Sequence, residues 1–398
     1  MIFEFAYGKN SFKLDLEGDL EVLDCKNVNF KEFPIKEYTS KIQIKGKKIG
    51  IIIPDPTRPL PAKEILDNIY PKIKDKTTTL FIANGTHRKP NEKEMADYLG
   101  HFKDKFKLVF NEPEIGKKYS KIGITSYGTQ VEIQKEVLRQ DQLICFAVSR
   151  PHYYAGYSGG RKIFLPGISS MKTIQQNHRL VLDPDSSKVK NPNAVLGILE
   201  ENPVNIDMTE SLKFIPVPYE IHNFVILNKK IIFGTKDFTK AVNFIKENFE
   251  LKTKEKFDTL IISAGGAPYD INFIQGHKCL ENSIGALKKG GGIFAYIEAG
   301  EGFGSEDCKK FLKLGSIENI SKNLRLNFKV YGHTALTIKM KAKNYNINLC
   351  TKLSDEDLRL MGYEKWDGLN LPKNLGRVGV IRQGSIFYFS QNFRQSKI

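Results

Sequence analysis

Three histidines stand where their side chains could exchange protons or bind a metal. His87 and His152 come just after apolar runs that predict strands, and His178 lies on a predicted helix at 171–180. An imidazole with a pKa of about 6.5 can take up and return a proton at neutral pH, or ligate a metal when it is neutral. A lone histidine is usually structural, but two at strand ends with a third nearby favour a shared site.

Two motifs near these histidines could hold an anion. The segment 54–59, PDPTRP, follows the first apolar run and has two interpretations. In one, the Thr57 hydroxyl, Arg58 and backbone N–H groups hold a phosphate. In the other, the prolines bound an ordinary turn and Asp55 caps the next helix. The second motif, YSGGRK at 157–162, joins paired glycines, which let backbone approach a ligand, to two adjacent cations, and this combination favours an anion site.

Several common signatures are absent from the sequence. It has no HxxxH, HExxH or CxxC motif and no carboxylate cluster, so a bound transition metal would take most of its ligands from something other than the chain. It also has no GxGxxG fingerprint and no Walker motif, which argues against a common dinucleotide or triphosphate enzyme. The cysteines are widely spaced and predict reduced thiols in a cytoplasmic protein. They are Cys25, Cys145, Cys279, Cys308 and Cys350.

The elements that must position these residues follow from the hydrophobic pattern. Unbroken apolar runs are typical of strands covered on both faces, and longer helical patterns separate them, so the predicted fold class is α/β with largely parallel sheets. Residues 1–24 alternate apolar and polar side chains, as a hairpin does. The predicted strands are 48–53, 78–83, 143–148, 260–263, 292–296 and, more weakly, 347–350.

The strand spacing predicts two α/β domains. A lysine-rich amphipathic stretch at 238–257 separates them, so we place the boundary near residue 253. Residues 1–253 would form a cofactor-binding and catalytic domain and 254–384 a second α/β domain, with 385–398 as a tail that packs back on the first. Chemistry in parallel sheets sits at the carboxyl ends of the strands. We therefore expect an active site in the crevice between the two domains, to which the second domain contributes Gln275 and Lys278.

The net charge alone suggests several kinds of partner. Among 398 residues, 61 Lys and Arg stand against 45 Asp and Glu, a surplus of +16 that would fit nucleic acid, a membrane surface or small anions. Because the lysines are dispersed without a basic block, they predict a solvated surface and no specific nucleic-acid binding. No apolar stretch reaches the roughly 18 to 20 residues of a membrane helix, and no signal peptide is recognisable. We expect a cytoplasmic protein with a small anionic substrate and no membrane partner.

Six segments in order closely resemble the nickel-dependent lactate racemase family, over roughly residues 40–285. Their number, order and spacing make the resemblance specific. They are DPTRP at 55–59, NGTHR at 84–88, SRPHYYAGYSGGRKIFLPGISS at 149–170, QQNHRL at 175–180, NPVNIDM at 202–208 and GGAPYDINFIQGHK at 265–278.

The resemblance implies a two-domain α/β protein that holds a nickel pincer nucleotide. This cofactor is a nicotinate-derived mononucleotide, pyridinium-3,5-bisthiocarboxylic acid mononucleotide, whose ring carbon and two sulfur groups bind nickel. By motif match, Lys162 would attach the cofactor as a thioamide and His178 would ligate the nickel. His87 and His152 would be the proton-transfer pair. Separate enzymes synthesise this cofactor in the family, so they are implied as partners.

The same match implies the remaining contacts. Asp55, Pro56, Thr57 and Arg58 would hold the cofactor, chiefly its phosphate end. Gln275 and Lys278, together with Arg58, would hold the substrate carboxylate.

The implied activity is that of an isomerase, a racemase or epimerase of a 2-hydroxy acid. The hydrogen on the chiral carbon is too weakly acidic for easy removal as a proton. Its removal as hydride is easier when a histidine takes the hydroxyl proton at the same time, which leaves a planar 2-oxo acid. Return of hydride to the other face, with a proton from the second histidine, gives the opposite enantiomer.

Some residues depart from the family pattern and leave alternatives open. Ile274 stands where the lactate enzymes of the family carry a tyrosine, Trp366 is not at an evident substrate wall, and His277 adds a polar group beside Lys278. One alternative is therefore a racemase of a larger or more polar 2-hydroxy acid. Others are a zinc hydrolase with His87, His152 and His178 as ligands and a non-catalytic nucleotide- or RNA-binding protein.

Overall fold

A computed structural model describes residues 1–24 and 30–390 of the chain. Cys25 and residues 391–398, the greater part of the predicted tail, lie outside the described residues. The described strands are β1 (Ile2–Tyr7), β2 (Asn10–Asp15), β3 (Leu20–Val22), β4 (Lys48–Pro54), β5 (Thr77–Ala83), β6 (Lys107–Phe110), β7 (Tyr119–Ile124), β8 (Gln130–Gln134), β9 (Gln142–Val148), β10 (Pro151–His152), β11 (Gly156–Tyr157), β12 (Tyr219–Leu227), β13 (Lys230–Thr235), β14 (Phe257–Ser263), β15 (Leu287–Tyr296), β16 (Asn346–Cys350), β17 (Glu364–Lys365) and β18 (Val378–Ile381).

The helices alternate with these strands, as the sequence predicts for an α/β fold. In α2, four of the apolar residues follow helical spacing at 65, 66, 69 and 73, and all four are buried. The described helices are α1 (Ile35–Ser40), α2 (Ala62–Ile73), α3 (Glu92–Leu99), α4 (Met171–Arg179), α5 (Pro203–Ser211), α6 (Phe238–Phe249), α7 (Phe273–Gly276), α8 (Lys278–Ser283), α9 (Glu306–Leu312), α10 (Ile317–Leu326), α11 (Gly332–Asn344) and α12 (Asp355–Met361).

The first of two six-stranded sheets has the strand order β13-β12-β9-β4-β5-β6. Its neighbours pair in parallel except β12 and β13, which form an antiparallel pair at one edge. From β4 the chain builds the sheet toward β5 and β6, whereas β9 leads to β12 on the other side. The strand order therefore reverses between β4 and β9, and a crevice for a ligand is expected at their carboxyl ends.

The second sheet, β17-β16-β15-β14-β18-β3, is parallel throughout. Both faces of its central strands are covered, and β14 is almost wholly buried. All six strands predicted from the sequence are present as β4, β5, β9, β14, β15 and β16. The α/β class with largely parallel sheets is thus confirmed.

Segments near both termini join the second sheet or the seam between the sheets. Strands β1 and β2 form the predicted hairpin, and β3 pairs with β18 at the edge of the second sheet. Near the other end, the Tyr388 hydroxyl bonds the Tyr157 hydroxyl at 2.7 Å, and Phe389 N–H donates to the Asn282 carbonyl at 2.8 Å. The domain boundary near residue 253 stays a prediction. No helix among the described residues has the length and apolar character needed to cross a membrane.

Candidate active site

A cavity lies where the carboxyl ends of β4, β5 and β9 face helices of the second half of the chain. It brings together eight of the site residues that the sequence predicts, from segments more than 200 residues apart. Those eight are Asp55, Arg58, His87, His152, Lys162, His178, Gln275 and Lys278. The predicted location between the two sheets is where these side chains meet.

His87 is paired with a buried carboxylate. Its Nδ1 lies 3.0 Å from Asp55 Oδ2, and Asp55 is only 3% exposed. The other carboxylate oxygen, Oδ1, accepts hydrogen bonds from the Thr57 amide at 2.9 Å and from the Thr57 hydroxyl. An ionised Asp55 can only accept, so Nδ1 of His87 carries the hydrogen and Nε2 is left with a lone pair. This arrangement makes His87 a base directed at the cavity.

Asp55 does not cap the following helix. The N-cap of α2 is Pro61, with no capping side chain. Asp55 instead closes a turn onto Thr57 and binds His87. The interpretation of 54–59 as a turn whose aspartate caps a helix is therefore wrong, because the carboxylate is directed into the site.

Gln275 connects His87 to two cations. Its side-chain nitrogen lies 3.3 Å from His87 Nε2, and its Oε1 accepts from Lys278 Nζ at 2.6 Å and from Arg58 Nη1 at 3.4 Å. A helix supplies the geometry, since Gln275 and Lys278 are three residues apart on the short α7 and α8 segments. Two cations thus share one neutral oxygen, which leaves positive charge available for a carboxylate.

The pKa values of Asp55 and His87 shift in the directions that keep Asp55 ionised and His87 neutral. Burial alone would raise the pKa of Asp55, but His87, the charge of Arg58 and the Thr57 hydrogen bond hold it below its ordinary value. Burial lowers the pKa of His87, Asp55 raises it in part, and the charges of Arg58 and Lys278 lower it further. At neutral pH the pair is an ionised carboxylate beside a neutral imidazole.

His152 has no carboxylate partner in the described part of the chain. Its Nδ1 is buried without a hydrogen-bond partner, and its ring stacks on Tyr153 with the centroids 5.4 Å apart. Burial lowers its pKa well below the ordinary value, and the nearby charges of Lys162, Lys278, Arg58 and Arg150 add to this effect. The two histidines therefore differ in basicity, although both line the same cavity.

Lys162 presents an amine that no described acid neutralises. The chain reaches the cavity through Gly159, whose φ of +88° suits glycine and whose added Cβ would lie 2.1 Å from Ser149 Oγ. The Lys162 ammonium lies 5.3 Å from the centre of the Tyr154 ring. Burial, followed by the charges of Arg161, Arg58 and Arg150, lowers its pKa well below the ordinary value. The lowered pKa favours the neutral, nucleophilic form of the amine.

His178 lines the cavity on the last turn of α4 and is 2% exposed. Burial and the charges of Lys162 and His333 lower its pKa well below the ordinary value, so the ring is neutral and can ligate a metal. The described residues hold no group of three His, Cys, Asp or Glu side chains that could bind a metal. The alternative of a zinc site made from three histidines is therefore not present there.

Two of the predicted cofactor residues lie off this cavity. Thr57 lines a smaller adjoining cavity, and Pro56 lines neither. Within the YSGGRK motif, Lys162 enters the site, whereas Arg161 turns away and packs 4.5 Å from the centre of the Phe238 ring. Arg88 also turns outward, where it pairs with Glu94 and Glu301. The motifs thus lie around the cavity, although some of their side chains line it and others pack behind it or point outward.

Sequence reasoning missed the wall that the second half of the chain contributes. Tyr331 and His333, in and just before α11, line the cavity. The Tyr331 hydroxyl bonds the Thr86 hydroxyl at 3.1 Å, and Nε2 of His333 lies 3.2 Å from the Tyr153 hydroxyl. No predicted strand end precedes these residues. The one signal in the sequence that could have identified them is the segment YGH at 331–333, because its histidine could have been assigned to the histidine-rich site.

Two of the three residues singled out as departures, Trp366 and His277, are supports. Trp366 donates from Nε1 to the Asn370 carbonyl at 2.6 Å and packs on Phe294 and Tyr296, away from the cavity. His277 lies behind Lys278, with Nδ1 2.8 Å from the Ile274 carbonyl. Neither side chain lines the cavity, whereas Ile274 does.

Buried neutral histidines predict a loss of stability in mild acid. Burial is the main cause that lowers the pKa of His277 and His333 to about 3 and that of His222 to about 4. Between pH ~6.5 and those values the unfolded chain binds more protons than the folded one, so the free energy of unfolding falls as pH falls. The expected effect of the three together is on the order of several kcal/mol.

Thermal unfolding at pH 7.5, 5.5 and 4.5 measures this decline. His333→Gln should make the decline of Tm with pH shallower, because it removes one of the buried imidazoles. The matched control His101→Gln, at a half-exposed position, should leave it unchanged. A wild-type Tm that is equal at pH 7.5 and 4.5 would show that protonation of these rings is not coupled to unfolding.

Comparison with known proteins identifies relatives of this chain. A family described as "Lactate racemase N-terminal domain" matches residues 32–189. The lactate racemase of Thermoanaerobacterium thermosaccharolyticum is 30% identical over 336 residues, which cover 78% of this chain and 77% of that protein. The lactate racemase of Lactiplantibacillus plantarum is 29% identical over 273 residues, which cover 66% of this chain and 63% of that protein.

The fold is also found among solved structures. The lactate racemase apoprotein of T. thermosaccharolyticum superposes with a TM-score of 0.81 at 26% identity, over 98% of this chain and 100% of that one. A crystal structure of a Thermotoga maritima protein, at 18% identity and a TM-score of 0.73, shares the fold over 94% of this chain and 99% of that one. With a relative of this identity and coverage, and with the predicted motif residues around one cavity, the chain belongs to the lactate racemase family of isomerases.

Proposed function

We propose that the protein interconverts the enantiomers of a 2-hydroxy acid, lactate or a related acid, with a nickel pincer nucleotide bound in the cavity. One observation carries the proposal. Two histidines of different basicity, His87 and His152, line the same cavity as two cations that converge on one point, Arg58 and Lys278. A 2-hydroxy acid needs a cationic anchor for its carboxylate and a base for its hydroxyl on either side.

The carboxylate of the substrate would bind where Arg58 and Lys278 now share the side-chain oxygen of Gln275. A carboxylate accepts charge-assisted hydrogen bonds from both cations more strongly than a neutral amide oxygen does. Gln275 would then keep one amide hydrogen for the substrate. This anchor would hold the acid while its chiral centre inverts.

The two histidines would exchange the hydroxyl proton. His87 takes it at Nε2, because Asp55 holds the hydrogen of the ring at Nδ1. His152 serves the opposite enantiomer. Burial and, after it, the surrounding cations lower the pKa of His152. A bound substrate carboxylate would offset part of that positive charge and raise the pKa toward the range useful for proton return.

The residues present fit the proposed cofactor. Lys162 offers an amine with a lowered pKa and no described acid beside it, which suits covalent attachment, and His178 offers a neutral imidazole for nickel. The described residues hold no group of three side chains that could bind a metal, so the nucleotide would supply the remaining ligands. The bound cofactor would supply a hydride acceptor and donor for the chiral carbon of the substrate. The contacts proposed for residues 55–58 are with its phosphate end, although the Asp55 carboxylate itself positions His87.

The test is racemisation by the full chain produced together with the cofactor-synthesis enzymes, which we propose as its partners in a cytoplasmic setting. Each pure enantiomer of lactate and of a panel of 2-hydroxy acids is incubated, and chiral chromatography follows the products. We expect at least one acid to reach an equal mixture from either side, with nickel bound to the protein. Retained configuration for every acid in nickel-loaded protein would contradict the proposal.

A further inference from the structure

Arg150 is a cation beside the active site that no described acid neutralises. Its backbone N–H bonds the Ser158 hydroxyl, but its guanidinium has no hydrogen-bond acceptor among the described residues. Its guanidinium carbon lies 5.8 Å from the centre of the Tyr269 ring. A guanidinium has five N–H donors, and leaving them without acceptors in a partly buried place is costly. A ligand is one way to satisfy them.

The space in front of Arg150 is a small cavity that adjoins the active site. Four residues line both cavities: His152, Tyr153, Gln275 and Lys278. The residues that line only the small cavity are Thr57, Arg150, Pro151, Tyr269, Asn282 and Ser385. Ser385 is 6% exposed, and its hydroxyl is buried with no hydrogen-bond partner among the described atoms. An unpartnered hydroxyl and an unpartnered guanidinium thus face one space.

The charges around the two cavities do not balance. The lining residues include four basic side chains, Arg58, Arg150, Lys162 and Lys278, and a single carboxylate, Asp55. Asp55 is committed to His87 and Thr57. One substrate carboxylate satisfies Arg58 and Lys278 at their shared point, and Arg150 remains. Burial, with the charge of Arg58, lowers the pKa of Arg150 only to about 9, so its charge persists at neutral pH.

We infer that Arg150 and Ser385 form a second oxyanion subsite, which takes a further carboxylate of the substrate, so that the preferred 2-hydroxy acid is a dicarboxylate. This inference rests on the proposed function for the position of the first carboxylate. The shared residues Lys278 and Gln275 place the two subsites side by side. An acid with its second carboxylate on the carbon next to the chiral centre would reach both.

The test is binding of three acids to the full chain, measured by calorimetry without turnover. Lactate has one carboxylate, malate adds a second on the neighbouring carbon, and 2-hydroxy-4-methylpentanoate has the size of malate without the charge. We expect malate to bind at least about tenfold more tightly than either monocarboxylate. Arg150→Gln should weaken malate about ten- to a hundredfold and lactate less than about threefold. Arg150→Lys should keep part of the malate preference.

The control is Arg139→Gln, which removes the same charge at an exposed position in the turn Val137–Arg139. It should leave the affinities for all three acids unchanged, and circular dichroism and Tm confirm that the Arg150 variants are folded. Equal weakening of lactate and malate by Arg150→Gln would overturn the inference and make Arg150 part of the first carboxylate site.

Binding of inorganic phosphate tests whether the oxyanion that Arg150 binds is a phosphate instead of a carboxylate. If phosphate binds and Arg150→Gln abolishes that binding while the affinity for malate is unchanged, Arg150 belongs to a phosphate site and the inference is overturned. If malate binds through Arg150 but no 2-hydroxy acid is racemised by nickel-loaded protein, the subsite stands and the proposed function fails. The two failures are thus distinguishable.

Discussion

An intact-mass spectrum of Lys162→Ala protein, produced together with the cofactor-synthesis enzymes, is expected to show only the unmodified chain. Wild-type protein should carry the added mass of the nucleotide. Burial and neighbouring charges lower the pKa of the Lys162 amine, which makes it available as a nucleophile. Lys278 is the one other lysine that lines the described cavity. Racemisation should fall to background in the same variant.

Two further variants separate attachment from charge. Lys162→Arg keeps a cation but has no primary amine, and should also lack the added mass. Lys172→Ala, at an exposed position on α4, removes a different lysine, and this variant should retain the added mass. An added nucleotide mass on the Lys162→Ala chain would exclude Lys162 as the attachment point and would direct attention to Lys278.

Replacement of His87 or His152 by alanine should abolish racemisation in both directions and leave the cofactor bound. In the proposed reaction one ring would take the hydroxyl proton from one enantiomer and the other would return it to form the opposite enantiomer, so the loss of either would interrupt the whole reaction. The expected reduction is about 10²- to 10⁴-fold in kcat/KM. Chiral chromatography measures the rate, and intact mass with nickel content confirms that the cofactor is present.

The pH profile identifies the His87 ring as the base. Asp55 raises the pKa of His87, so Asp55→Asn should lower that pKa, and the acid limb of kcat/KM should move to lower pH. The plateau should fall as well, because the ring loses the acceptor that holds its Nδ1–H. His101→Ala, far from the cavity, is the matched control. Near-wild-type kcat/KM in the His87→Ala or His152→Ala protein would refute the assignment of that histidine.

Most of what positions the site could be read from the sequence because it is local. Apolar runs such as 48–53 and 143–148 become strands β4 and β9, and the polar residues that follow them must lie at the carboxyl edge of a parallel sheet. The residues after β14 obey the same rule, so Gln275 and Lys278 could be placed as well. Strand ends are strong predictors because backbone pairing fixes where each strand stops.

The direction of each side chain could not be read in this way. Arg161 and Lys162 are neighbours in one motif, yet one packs on Phe238 and the other enters the cavity, because the turn at Gly159 and Gly160 sets which side each faces. Asp55 looked like a cap or a cofactor ligand. Only the approach of His87, 32 residues along the chain, makes it the partner of an imidazole.

The sequence by itself determined the α/β class and, through the resemblance of six ordered motifs, the family and the residues proposed to hold a carboxylate and move a proton. The class follows from residue types and their spacing along single segments. Tertiary structure alone decided that Tyr331 and His333 complete the cavity wall, that Trp366 and His277 stand behind it, and that Arg150 has no described partner for its charge. The physical reason is that burial, pKa and pairing depend on distances between segments, and those distances exist only after the two sheets have packed together.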